Sequence, residues 1–240
     1  MRYKISFAIT FLIFNLVSTY AVGQTTRQNS WHRITIQTPI DQKLSVSSEF
    51  QYRTQNDFDN NHYYSQPLTS SFRLWIDYKK NETISFSLSP FSYFDQRPSY
   101  NLITDHDKPH TNEYRFAGAV TIQKPVFSNF NAFTKLGLEF QHFDNKKDKY
   151  RLRGRAGFSY QYTIWTFSTY NELFLNVAGT PLTHFYNQNR ICGSINANLH
   201  RNFGMEIGYI HGDKLPRQSE TIQKERILYL NLTVKLNTGK

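Results

Sequence analysis

Polar and apolar residues alternate along nearly the whole chain beyond its first two dozen residues. In Lys43 to Thr54, Leu44, Val46, Phe50 and Tyr52 share one parity, while Lys43, Ser45, Ser47, Glu49, Gln51 and Arg53 hold the other. A strand of that kind has one apolar face and one polar face. The alternation predicts strands over 31–38, 42–54, 67–79, 82–94, 112–124, 129–142, 148–162, 165–178, 188–200, 203–212 and 222–236.

The predicted connections alternate in length. Pro39-Ile40-Asp41, Lys80-Asn81, 124–128, Thr163-Ile164 and Arg201-Asn202 are tight, whereas 55–66, 95–111, 143–147, 179–187 and 213–221 are longer and polar. Short turns at one end and long loops at the other are the habit of membrane barrels, whose outward residues meet lipid and whose inward residues are polar. The expected fold is an all-β, antiparallel up-and-down transmembrane β-barrel of about 10 strands, with 12 possible. The ten strands from 42 to 236 begin and end at the short-turn side. Trp31 to Thr38 is then an extra short strand, pairing beside the first hairpin after entering through the interior, or a lip at the short-turn side.

The faces agree with the chemistry. In 148–162, Tyr150, Leu152, Ala156, Phe158, Tyr160 and Tyr162 point one way, and Lys149, Arg151, Arg153, Arg155, Ser159 and Gln161 the other. An arginine on the lipid side near mid-membrane costs about 2 to 4 kcal/mol, which fixes the register. In 222–236, Leu228, Leu230, Leu232, Val234 and Leu236 are the lipid-facing set. Aromatics form 16% of the chain, enough for two interfacial girdles. One is expected at Tyr78, Phe127, Phe130, Tyr162, Trp165 and Phe203 by the tight turns, the other at Phe58, Phe94, Tyr150 and Tyr186 by the long loops. A soluble β-sandwich or lipocalin-like barrel would turn the apolar parity inward, and that set is too aromatic and too continuous for one small interior.

The N-terminus reads as a signal peptide over 1–23: Arg2 and Lys4, an apolar run from Ile5 to Val17, then Ala21-Val22-Gly23 before Gln24. The run is about 13 residues, short of the roughly 20 that span a bilayer as a helix. Residues 24–240 form the expected single barrel domain. Mean hydropathy is −0.59, as expected of strands that show lipid only every second residue. Cys192 is the single cysteine, so no intramolecular disulfide is possible. Net charge is +10, falling to about +8 once Arg2 and Lys4 leave with the signal. The basic residues are spread along many strands rather than gathered in one stripe, so nucleic acid is not the expected partner.

Placing the polar parity inside gathers Glu49, Arg53, Arg73, Asp77, Glu113, Arg115, Lys135, Glu139, Arg151, Arg153, Arg155, Glu172, Arg190 and Glu206 in one narrow tube. Opposite charges should pair there, for example Glu113 or Glu139 with Arg151, Arg153 or Arg155. Such a cluster reads as a structural salt-bridge core or as the cationic wall of a narrow pore. Asp105-His106-Asp107-Lys108-Pro109-His110 in the longest loop contains competent zinc ligands and acid–base groups, but its spacing matches ordinary polar loop composition. His142, at the outer end of its strand, has Asn112, Tyr114 and Tyr150 beside it and no serine nucleophile.

The alternation, Trp31-His32-Arg33, the strand Glu49-Phe50-Gln51-Tyr52-Arg53 and the later arginine-rich strands together resemble the uncharacterised, Bacteroidota-type outer-membrane barrel family called domain of unknown function 2490. The resemblance covers 30–236. It implies an outer-membrane location in a Gram-negative cell and carries no established activity. The chain departs from barrels in general by ending Val234-Lys235-Leu236-Asn237-Thr238-Gly239-Lys240 without a terminal aromatic.

The expected protein is therefore an exported barrel in contact with outer-membrane lipids. Its leading expected role is non-enzymatic, structural or in surface interaction, with an extracellular ligand or small solute as the further partner. A narrow channel for small solutes or anions, or a lipid-modifying hydrolase, is the alternative. No cofactor or metal is expected.

Overall fold

In a computed structural model of the protein, residues 26–217 and 220–236 are described. The expected signal peptide lies outside them. Eleven strands close into one barrel: β1 Thr26–Pro39, β2 Leu44–Gln55, β3 Gln66–Lys79, β4 Ile84–Gln96, β5 Thr111–Phe127, β6 Phe130–Phe143, β7 Lys149–Tyr162, β8 Trp165–Ala178, β9 Tyr186–His200, β10 Phe203–Lys214 and β11 Gln223–Lys235.

The extra N-terminal segment is neither a lip nor a short side strand. It is the full-length β1, paired antiparallel with β2 and parallel with β11 along the register Thr26↔Lys224 to Gln37↔Lys235. An odd count requires this, because in an up-and-down barrel the first and last of eleven strands run the same way. Residues of equal parity meet at the seam, Trp31 against Tyr229 and Ile34 against Leu232, so both faces continue across it.

Each short connection is built from its own residues. Asp41 Oδ1 accepts from the backbone N–H of Lys43 and Leu44 at 2.6 and 2.8 Å, and Asn81 Oδ1 accepts from Thr83 and Ile84 at 3.0 and 2.8 Å. A short polar side chain thus folds the backbone at both turns. The third tight turn is Ser128-Asn129 rather than 124–128, because β5 continues through Pro125 to Phe127 with an irregular register there.

The outward parity carries exposed apolar side chains around the barrel, among them Ile34, Phe50, Phe116, Leu138, Phe158, Ile195, Ile207 and Leu228. Tyr78, Phe127, Tyr162 and Trp165 are exposed beside the short turns, and Phe58 and Tyr150 beside the long loops. Phe94 departs from the expected girdle: it is 1% exposed and points inward. The cause is a bulge at Ser89–Ser92, where Ser89 opposes Ala117 but Ser92 opposes Arg115. One extra residue, beside the donor-less Pro90, flips the parity. Ser85, Ser87 and Ser89 face inward before it, and Ser92, Phe94 and Gln96 after it.

Two inward glycines allow close approaches. A Cβ on Gly157 would lie 2.3 Å from the Thr169 carbonyl oxygen and 2.5 Å from Tyr170 Cβ, and one on Gly208 would lie 2.4 Å from the Tyr229 ring. Trp31, Cys192, Ile210, Ile227 and Tyr229 form a small buried apolar cluster against that wall, with Tyr170 packed on it.

Candidate functional site

The barrel interior is a ladder of arginines and glutamates, set by strand parity and ordered by register. Glu49 on β2 accepts from Arg33 of β1 at 3.3 Å and lies 3.7 Å from Arg73 of β3. Glu139 on β6 meets Arg151 at 3.0 Å, Arg153 at 3.5 Å and Arg115 at 4.0 Å. Glu172 on β8 meets Arg153 and Arg155 at 2.7 Å each and Arg190 at 3.6 Å. Register places these charges opposite one another: Glu49↔Arg73, Glu139↔Arg151, Arg155↔Glu172 and Glu172↔Arg190 are direct cross-strand pairs.

The expected pairing of Glu139 with Arg151 and Arg153 is present, whereas Glu113 bonds Arg115 two residues along its own strand and Gln96. Arg155 belongs to Glu172 alone among the described residues. Asp77 accepts from Ser87 at 2.6 Å, and Glu206 from Tyr229 and Asn231 at 2.9 and 2.8 Å. Lys135 sits 5.5 Å from the Trp75 ring. Arg53 differs from the rest: its Nε and Nη2 donate to Gln51 Oε1 at 3.0 and 2.6 Å, its guanidinium stacks 4.0 Å from the Trp31 ring, and no carboxylate among the described residues is within ion-pair distance.

Sequence reasoning missed the interior aromatics. Phe94 lies under Arg73 and Arg115 at 5.1 and 3.9 Å, and Phe174 under Arg151, Arg153 and Arg190 at 4.8, 5.2 and 4.8 Å. Cation–π stacking lets several guanidiniums crowd while keeping their N–H edges free. It also missed Arg33 and Glu225, the latter held by Lys214 at 3.5 Å and Gln188 at 2.6 Å. The polar parity of 222–236 already contained Glu225.

Toward the long loops the ladder opens into a cavity of about 410 Å³. Its lining reaches no further toward the short turns than Arg155, Tyr170, Glu206 and Asn231, while Arg97, Ser99, Lys146 and Arg217 contribute from the loops. Thirteen lysines and arginines line it against four glutamates. With Glu49 and Glu139, which pair with lining arginines, the described residues still leave an excess of seven positive charges.

Segment 97–110 lies over the mouth rather than standing free. Arg27 donates to the Tyr100 carbonyl, Gln55 Nε2 to the Pro98 carbonyl at 2.8 Å and Gln223 Nε2 to Asn101 Oδ1 at 3.1 Å. Within it, Asp105 accepts from the backbone of Asn101 and Leu102 at 2.7 and 2.8 Å and pairs with Lys108. Burial opposes ionisation of Asp105, but these bonds outweigh it and hold the carboxyl below the usual aspartate range. The neighbouring ring of His106 stacks on Tyr100 at 4.3 Å, and its Nε2 meets Asp57 at 3.0 Å. His110 pairs with Asp95 at 3.2 Å. The acid–imidazole cluster of the sequence is thus split among separate partners, and no group of three or more His, Cys, Asp or Glu among the described residues is placed to hold a metal.

His142 Nδ1 lies 2.8 Å from Asp148 Oδ1 at the long-loop rim, with the Tyr114 ring 6.2 Å away. No serine or threonine hydroxyl bonds either residue among the described ones.

The family model for a protein of unknown function, DUF2490, matches residues 28–219. The chain belongs to this family. No curated protein and no solved structure matches the chain. In this DUF2490 member the charge ladder lines the cavity, here called the vestibule, and segment 97–110 lies across its mouth.

Proposed function

We propose that this DUF2490 protein is an outer-membrane β-barrel with a plugged, charge-filled interior, acting as a non-enzymatic platform that presents its long-loop end to the outside. The observation that carries the reading is the two-sided strand set. An apolar outer face continuous across the β1–β11 seam suits hydrocarbon, and the charges of the ladder, which would each cost several kcal/mol in lipid, are turned inward, while outward-parity charges such as Lys224 and Arg226 lie at the long-loop end of their strand. The alternating loop lengths orient it, long loops outward. Glu49, Glu139 and Glu172 each bind arginines from neighbouring strands inside the barrel, which favours a filled interior over an open pore.

The test is fractionation of cells into inner membrane, outer membrane and periplasm, with gel mobility of the extracted protein before and after boiling. Outer-membrane recovery with a boiling-dependent shift is expected. A soluble periplasmic protein without a shift would overturn the membrane reading.

A narrow anion channel is the second reading, favoured by the cationic excess of the vestibule. It requires conductance in planar bilayers whose anion preference falls when Arg151, Arg153 and Arg155 become Gln; a silent bilayer removes it. A lipid hydrolase would have to use the His142–Asp148 pair, and lipid profiles unchanged between the protein and His142→Ala would remove that one.

A further inference from the structure

The vestibule contains more cation than its carboxylates neutralise, and the surplus is concentrated at identifiable groups. Arg53 and Arg190 approach one indole, Trp31, with guanidinium carbons 4.0 and 4.9 Å from the ring centroid. Arg53 has Arg73, Arg115 and Arg190 as its charged neighbours, with Glu225 the carboxylate acting on it. Glu225 is itself engaged by Lys214 and Gln188. Further out, Lys149 and Arg217 share the Phe143 ring at 5.8 and 5.3 Å, and neither is within ion-pair distance of a carboxylate among the described residues. Several donors here also lack an acceptor: Arg190 Nε, Arg73 Nε and Arg217 Nη1 are buried and make no hydrogen bond among the described residues.

Like charges in a confined, partly dry space repel strongly, and an unsatisfied buried donor loses its solvation without replacement. A bound anion relieves both at once. Guanidinium forks match the paired oxygens of carboxylate and phosphate, and the aromatic faces beneath them fix the forks without consuming their N–H groups. A cavity of about 410 Å³ falls within the usual range for small-molecule sites.

We propose that the vestibule is a binding site for a small multivalent oxyanion, carboxylate- or phosphate-bearing. Arg53 and Arg190 over Trp31 hold it on one side, and Lys149 and Arg217 on the other. The proposal adds a ligand to the platform reading but stands on the interior alone. A protein that fractionates as soluble yet still binds the anion would sink only the membrane assignment.

The experiment is titration calorimetry on the full barrel folded in an uncharged detergent, using inorganic pyrophosphate, citrate and a short-chain phosphatidic acid as probes. One saturable site is expected, weakening as salt is raised. Arg53→Gln, which removes no ion pair of the ladder, should weaken it about tenfold or more, as the loss of a charge-assisted bond implies. Lys149→Gln should also weaken it, and decides the matter if the first variant does not fold by the boiling-shift criterion. Binding of the lipid phosphate but of neither free anion would assign the same groups to a headgroup. No binding of any probe, or binding that both folded variants leave unchanged, would overturn the proposal.

Discussion

Replacing Glu172 by glutamine is the sharpest test of the interior ladder. The Glu172 side chain is 2% exposed and faces Arg153, Arg155 and Arg190 at 2.7, 2.7 and 3.6 Å. Arg153 keeps Glu139 at 3.5 Å, but Arg155 and Arg190 have no second carboxylate within ion-pair distance among the described residues. Two unit charges about 4 Å apart attract by about 4 kcal/mol at an effective dielectric near 20. Breaking a buried pair from one side typically costs about 3 to 5 kcal/mol, because the partner is left uncompensated. Glutamine keeps the shape and one carbonyl acceptor, and the arginines are partly exposed, so a loss near 3 kcal/mol is expected at the low end of that range. The assay is the urea unfolding midpoint of the barrel in lipid vesicles, run beside Glu206→Gln. Among the described residues Glu206 accepts side-chain bonds only from Tyr229 and Asn231, and its loss should cost about 1 kcal/mol. A double-mutant cycle with Arg155→Gln should return a coupling of about 1 to 3 kcal/mol. A Glu172→Gln barrel as stable as the unmodified protein, or no less stable than Glu206→Gln, would refute the view that this carboxylate holds the arginines in place.

Leu138→Arg, on the outer face opposite Gly118 and Leu152, should destabilise the barrel by about 2 to 4 kcal/mol in lipid vesicles. A change below about 0.5 kcal/mol would argue that this face does not meet hydrocarbon. Gln55→Ala removes the bonds to Arg27, Pro98 and Pro67. Limited proteolysis should then cut within 97–110 faster than in the unmodified barrel. Because the folded carboxyl of Asp105 lies below its ordinary value of 3.8, its contribution to that segment is full above the ordinary value and is lost as pH falls through the depressed folded one. The hydrogen-exchange protection of 101–108, with the pH dependence of intrinsic exchange divided out, should therefore fall on acidification, and Asp105→Asn should flatten that dependence. Gly208→Ala should displace the Tyr229 ring, at about 1 to 3 kcal/mol, read from the unfolding midpoint; an unshifted midpoint would mean the ring has room to move.

Much of this protein is legible in its alternation, because a strand's side chains alternate whatever surrounds them. Residues such as Tyr150, Leu152, Arg151 and Arg153 announce their faces from their neighbours alone, and the lengths of the connections announce which end is which. That the charges from Glu49 to Glu206 share the polar parity was likewise readable. Which charges pair was not, since Glu113 could bond along its own strand or across to the next with equal local sense.

What only the tertiary structure decided comes from closure and from single-residue slips. Trp31 to Thr38 has no local mark of a seam strand; its parallel pairing exists because eleven strands must return to their start. The bulge at Ser89–Ser92 turns Phe94 from outside to inside, a change of one residue that inverts every position after it. Arg53 reads like any other inward arginine in the sequence, and its lack of an ion-pair partner among the described residues depends on which residues four other strands bring to the same height in the barrel. Alternation is a local property of the backbone and is written residue by residue. Register, closure and the balance of charge across the interior are relations between distant strands, fixed only when the sheet meets itself.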